Sequence, residues 1–160
     1  MANLFVGIAE GAYDAARHYT LKQAQPWPAA GVARSAEDPY VLHRYGELWL
    51  LLRPAQLAAD AAALQLQQAL DRDEALTSGE RGAAAVAVAE AKVLAHRASV
   101  EVSSQLFELT GARSTSARFG LDRFWRNARV HTLHDPVDYK LRDIGRDRPE
   151  GRAPEATAYS

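Results

Sequence analysis

The sequence predicts an all-α protein: an up-and-down four-helix bundle with an extra short helix at its C-terminal end. Three observations lead there. Apolar residues recur at three- and four-residue steps through long stretches, the spacing of one helix face. No segment alternates with period two for long enough to form a strand. Between the apolar stretches stand cap and breaker residues, among them Asp38-Pro39, Thr77 with Glu80, Gly111 and Asp135-Pro136.

Leu4, Ile8, Ala12, Ala15 and Tyr19 form the first stripe, which ends near Lys22. Residues 25–39 (QPWPAAGVARSAEDP) hold three prolines and a glycine, so a loop follows. Loops this long inside compact domains often act as lids or binding loops. Trp27, between Pro26 and Pro28, is expected to tuck the loop onto the core. Asp38 as N-cap and Pro39 in the first turn open the second helix. Its stripe runs Val41, Tyr45, Leu48, Leu52, Ala55, Ala59, Ala62, Leu66 and Leu70, and Pro54 within it is expected to kink it.

A third helix starts at Thr77 or Ser78, with Glu80 or Arg81 completing the cap, and reaches Leu109. Val86, Val93, Val100 and Phe107 repeat every seven residues beside a second stripe of Val88, Ala95, Val102 and Leu109. A helix apolar on two adjacent faces belongs at the centre of a bundle. Gly111 ends it. Residues 113–120 (RSTSARFG) form a polar loop, and residues 121 to about 131 a fourth helix. Asp135-Pro136 opens a last short helix to about Ile144, where Gly145 stops it. The polar, proline-containing end reads as disordered, which places a helical domain at 1–146 and a tail at 147–160.

The totals bound the function. The chain has 160 residues, enough for one domain with a sizeable core. Its 19 basic and 20 acidic residues give a net charge of −1, which argues against a general nucleic-acid binder. With no cysteine there are no disulfides, thiolate metal sites or cysteine nucleophiles, a pattern that fits a reducing cytoplasm. Glu10 and Asp14 interrupt the apolar N-terminal stretch, so no signal peptide is expected. The leucine-rich run at residues 48–52 falls far short of the roughly 20 residues of a membrane span. A soluble, cytoplasmic protein is expected, with neither membrane nor nucleic acid as partner.

Chemistry concentrates in residues 121–140 (LDRFWRNARVHTLHDPVDYK). His131 and His134, three apart, would share a helix face and suit a metal. Pro136 blurs that geometry and no third ligand of matching character is nearby, so no metal site is expected. Two readings remain open: a histidine that moves a proton beside the Asp135 carboxylate, or one that caps a helix end against the dipole. Upstream, Arg113, Ser114, Thr115, Ser116 and Arg118 precede a helix start. A solvated loop accounts for them, and a phosphate site is the functional alternative. Arg123, Arg126 and Arg129 form an edge expected to pair with acids of a neighbouring helix. His18, His43 and His96 stand singly, and His96 is expected to be buried or to face another subunit.

The succession ELTGARST, LDRFWRNAR, HTLHDPVDYK resembles the C-terminal helical domain of the acyl-CoA dehydrogenase superfamily. It is most similar to the flavin-dependent monooxygenases of the dibenzothiophene monooxygenase group. ELTGA falls where dehydrogenases carry Gln-x-x-Gly-Gly, and HTLHDP replaces the region that supplies the dehydrogenase base. The resemblance, over residues 1 to about 146, implies a two-component monooxygenase that uses O2 and reduced FMN delivered by a separate flavin reductase. It further implies a homo-oligomer, dimer or tetramer. By position, His134 would assist the oxygen chemistry with His131 as companion, while Arg113, joined by Ser114, would lie at the FMN phosphate.

Two departures qualify this. Gln25-Pro26-Trp27 stands where the family often has Arg-Pro-Trp, which implies weaker phosphate binding. The family's N-terminal helical and β-domains have no counterpart here, so the isolated chain is expected to be inactive. One alternative is the C-domain of an acyl-CoA dehydrogenase with FAD. Another, of a different class, is a non-catalytic oligomerisation module whose interface the apolar third helix supplies.

Overall fold

A computed structural model describes residues 1–156, and it is all-helical over them. Helix α1 spans Ala2–Lys22, α2 Pro39–Asp71, α3 Ser78–Thr110, α4 Asp122–Thr132 and α5 Val137–Glu150, with short 3-10 turns between them. Cross-helix contacts set the directions. Tyr13 donates to Tyr45 O (3.4 Å) and Gln56 to Glu10 (2.5 Å), so α1 and α2 run antiparallel. Arg44–Glu108 at one end and Arg72–Glu80 at the other make α2 and α3 antiparallel. Phe5 meets the His131 ring and Gly11 faces Phe124, so α4 descends beside α1. A methyl on Gly11 would lie 3.0 Å from Phe124 Cε1, and the missing side chain permits this close approach. The expected up-down-up-down order therefore holds, with α5 laid against α3.

The third helix is the central one, packed against α1, α2, α4 and α5. Its start is a capping box: Glu80 N donates to Thr77 Oγ1 (3.2 Å) and Thr77 N to Glu80 Oε2 (2.9 Å). Its end is Gly111, at φ 77°. Ala84, Ala89, Ala91, Ala95 and Ala98 are buried along it, and small side chains let the neighbours come close. Of the two stripes, Val86, Val93, Ala95, Val102 and Leu109 are buried, Val100 and Phe107 half-buried and Val88 exposed. At one end Tyr45 donates to Thr20 Oγ1 (2.8 Å), which donates to Leu109 O (3.1 Å). This relay ties α2, α1 and α3 together.

Several local expectations are corrected. The buried face of α1 is Phe5, Ala9, Ala12, Ala16 and Tyr19; Leu4, one position away, is exposed because the larger Phe5 ring takes the inward place against His96 and His131. Trp27 does not tuck in. Its flanking prolines hold it extended (φ −64°, ψ 132°) and the residue is 74% exposed. The loop is held instead by two 3-10 turns and an Arg34–Glu37 pair at 2.7 Å. Helix α2 continues through Pro54 as one element, as a kinked helix also does. Gly145 does not stop α5, because one helical glycine costs only about 1 kcal/mol and Arg148 pairs with Glu90 on α3 beyond it. The helix ends at Gly151, φ 62°. Residues 151–156 have no regular structure, though Arg81 donates to Pro154 O and Ala153 lies against Gly82. The rest of the expected tail, 157–160, lies outside the described residues. No described helix is long and apolar enough to cross a membrane.

Candidate functional site

Helix α4 delivers both histidines to its own C-terminal end. His131 is half-buried and meets Phe5 of α1 edge-on at 6.3 Å between ring centroids. His134 follows in the turn that leaves the helix. It is exposed, with its ring 6.1 Å from that of His131 and tilted by 38°. The pair therefore forms a half-buried ring backing an exposed one. Among the described residues no cluster of three His, Asp or Glu side chains gathers to hold a metal. His134 lines the mouth of a cavity of about 450 Å³ with Tyr139, Lys140, Arg146 and Arg152.

Asp135 does not orient a histidine. Its carboxylate and its carbonyl both take the ammonium of Lys92, the carbonyl at 2.9 Å. Lys92 lies at the middle of α3 and is only 4% exposed. Sequence reasoning missed it. The available signal was a single lysine in register with the Val88–Ala95 apolar stripe, where a cation must have a buried partner. One turn along α3, His96 is half-buried and lies against Phe5 at 5.6 Å between ring centroids. Its Nδ1 is enclosed without a hydrogen-bond partner. Burial, then the charges of Arg129, Lys92 and Arg97, hold its pKa below the usual histidine value against the opposing pull of Asp138.

The second set lies at the far end of α3. Arg113 is exposed in the 3-10 turn Ala112–Thr115 and forms no ion pair among the described residues. Ser114, beside it, points inward at 1% exposure. Its hydroxyl donates to Gly111 O and bonds Thr110 Oγ1, both at 2.7 Å. It therefore braces the turn that carries Arg113. The arginine edge of α4 pairs locally rather than across helices. Arg126 meets Asp122 one turn back at 3.1 Å, while Arg123 donates to Gly120 O at 2.8 Å and stacks over Phe124. The histidines and Arg113 are not brought together. From Lys92, which holds the turn after His134, to Thr110 is about 27 Å of helix at 1.5 Å per residue.

Comparison with known proteins gives a consistent answer. The family model for the acyl-CoA dehydrogenase C-terminal domain matches residues 1–139. The chain is 49% identical over 159 residues to a probable FMNH2-dependent monooxygenase, SfnC, of Pseudomonas putida, covering 99% of this chain and 40% of that protein. It is 49% identical over 153 residues to a dibenzothiophene monooxygenase of Rhodococcus erythropolis, covering 96% of this chain and 37% of that one. Among solved structures it resembles methanesulfinate monooxygenase MsuC of Pseudomonas fluorescens, with a TM-score of 0.96, 47% identity, and coverage of 99% of this chain and 41% of that one. It also resembles FMN-bound TdsC of Paenibacillus sp., at TM-score 0.93 and 44% identity over 99% of this chain and 40% of that one. The chain thus spans about two fifths of the length of these relatives.

Proposed function

The chain belongs to the acyl-CoA dehydrogenase C-terminal domain family, and from that premise we propose that it is the C-terminal helical domain of a two-component, FMN-dependent monooxygenase. One observation carries the reading: near 49% identity to monooxygenases extends over essentially the whole chain, the His131–His134 stretch included. The domain is placed at residues 1–146, with α5 carrying helix on to Glu150. The rest of such an enzyme is the portion of its relatives that this chain does not span. A separate flavin reductase is the partner, and the cytoplasm the compartment.

Reduced FMN would supply the electrons that activate O2, one oxygen atom going to the substrate. The chain's own residues suit two partial contacts, and because these lie about 27 Å apart along α3, farther than one FMN spans, each would meet a different flavin molecule. Arg113, exposed and without an ion pair, suits the phosphate, because a guanidinium binds a dianion through paired N–H donors. Ser114 holds the turn that aims it. Near the middle of α3, His134 presents an exposed imidazole that can hold or pass a proton, and His131 backs it against Phe5. The separation along α3 leaves these as two half-contacts, in keeping with an isolated chain that is inactive.

In an enzyme that carries this domain together with the N-terminal portions its relatives have, His134→Ala is expected to lower product formed per O2 consumed. Oxygen uptake measured beside product yield checks it, and unchanged coupling overturns the role. Arg113→Ala is expected to weaken FMN binding about tenfold or more, the scale of a lost charge-assisted hydrogen bond. Fluorescence titration with FMN reads that change.

A second reading has its own support. The outer face of α2 carries Leu50, Leu57 and Leu64, exposed by 71%, 52% and 61%. An apolar row of this kind on a soluble surface marks an interface. The domain therefore also works as a homo-oligomerisation module, as a dimer or tetramer, through α2.

A further inference from the structure

We propose that Lys92 is a positioning residue: from the middle of α3 it fixes the turn between α4 and α5, and with it the direction in which His134 presents its ring. The inference rests on the reading of His134 given above and names the group that aims it.

The geometry is specific. Lys92 reaches across 43 residues of sequence to one amino acid, Asp135, and takes both its carboxylate and its main-chain oxygen. Asp135 is the residue immediately after His134. The flanking helices hold the turn only in part. Leu133 N and His134 N donate back to Val130 O (3.2 Å) and His131 O (3.4 Å) beyond the end of α4 at Thr132, and α5 begins at Val137 without a side-chain cap. Among the described residues, the hydrogen bonds that tie 133–136 to another helix all come from Lys92. A two-point grip on one residue fixes its position and its peptide orientation together, and the adjacent His134 peptide inherits both.

The chemistry of the pair supports placement over stability. A buried lysine and carboxylate lose their hydration, and an apolar pair of similar volume is often as stable or more so. What an apolar pair lacks is direction: it fills the same space without fixing the carbonyl of residue 135. Lys92 also lines a second cavity, of about 530 Å³, with Leu66, Leu70 and Val88, so a shorter side chain would leave the pair open to water on that side.

The test compares Lys92→Met with the double variant Lys92→Met/Asp135→Leu. Asp135→Asn serves as a milder variant, which keeps an oxygen acceptor, should the others fold poorly. Thermal midpoint, the pH titration of the His134 ring by NMR, and product formed per O2 in the complete enzyme are read for each. The expected result is that the double variant regains the parental midpoint while its His134 titration stays displaced and its coupling stays down, by up to about a hundredfold, the scale of ångström-level misplacement. A double variant with parental titration and parental coupling overturns the proposal, because a merely structural pair would be replaced without loss. Failure of the His134 reading is distinguishable. If His134→Ala leaves coupling unchanged, the NMR titration alone decides, and an undisplaced His134 in Lys92→Met overturns the role of Lys92.

Discussion

His96 shows what one enclosed atom does to a pH profile. Its Nδ1 has no partner, and it faces the cations Lys92 and Arg97 from α3 and Arg129 from α4, with Asp138 of α5 in opposition. Burial and these cations lower its folded pKa, so the unfolded chain binds the proton more readily. Its contribution to stability is then complete above the unfolded histidine value of about 6.5 and is lost as pH falls through the lowered folded value. His96→Leu removes both the orphaned nitrogen and this dependence. We expect a smaller fall in urea midpoint between pH 7.5 and pH 5.5 for the variant than for the parent, and no loss at pH 7.5. Equal falls would show that the proton is accommodated in the fold. At this scale the sequence revealed half of the candidate site. The paired histidines were visible from their spacing. The partner of Asp135 was not, because it lies 43 residues away, and the adjacent histidine was the only candidate that local reading offered.

Elements were more legible, since periodicity and caps are local. The Asp38, Thr77 and Gly111 boundaries follow from hydrogen bonds that the residue types dictate, and the structure places each as expected. The failures have two causes, tertiary contact that outweighs a local preference of about 1 kcal/mol and local backbone geometry. Gly145 yielded to the packing of α5 on α3, and the inward bias of Trp27 yielded to two prolines. Pro54 makes the competition measurable. It lacks the N–H that would reach the carbonyl of Leu50, yet α2 continues through it. Pro54→Ala is expected to stabilise the fold by up to about 3 kcal/mol, read from urea unfolding. A loss instead would show that the α2–α3 fit depends on the bend that proline imposes.

At the scale of the whole molecule, the bundle's fold class was plain from three apolar stripes, but the direction of its surplus apolar surface was not. The stripe read on α2 packs inward through Leu48, Leu52, Ala55, Ala59 and Ala62. The leucines spaced by seven on the opposite face are hidden from a reading that looks for one stripe per helix. The isolated chain is expected to self-associate through them. Leu57→Glu should give a smaller species by light scattering with little change in thermal midpoint; a parental chain that is already monomeric would remove α2 as the interface.

One consequence concerns the length of α3. The turn after His134 is anchored at its middle and the Arg113 turn begins at its end, so a single rigid rod sets both their separation and their relative bearing. Each residue of a helix adds about 1.5 Å and turns the chain by about 100°. Adding or removing one residue between Lys92 and Gly111 would swing Arg113 to a different side of the bundle while scarcely altering the distance. Insertions and deletions in this segment are thus tolerable only in near-whole turns. The spacing of the two half-contacts is quantised by the helix, and it can change over descent only in steps of three or four residues.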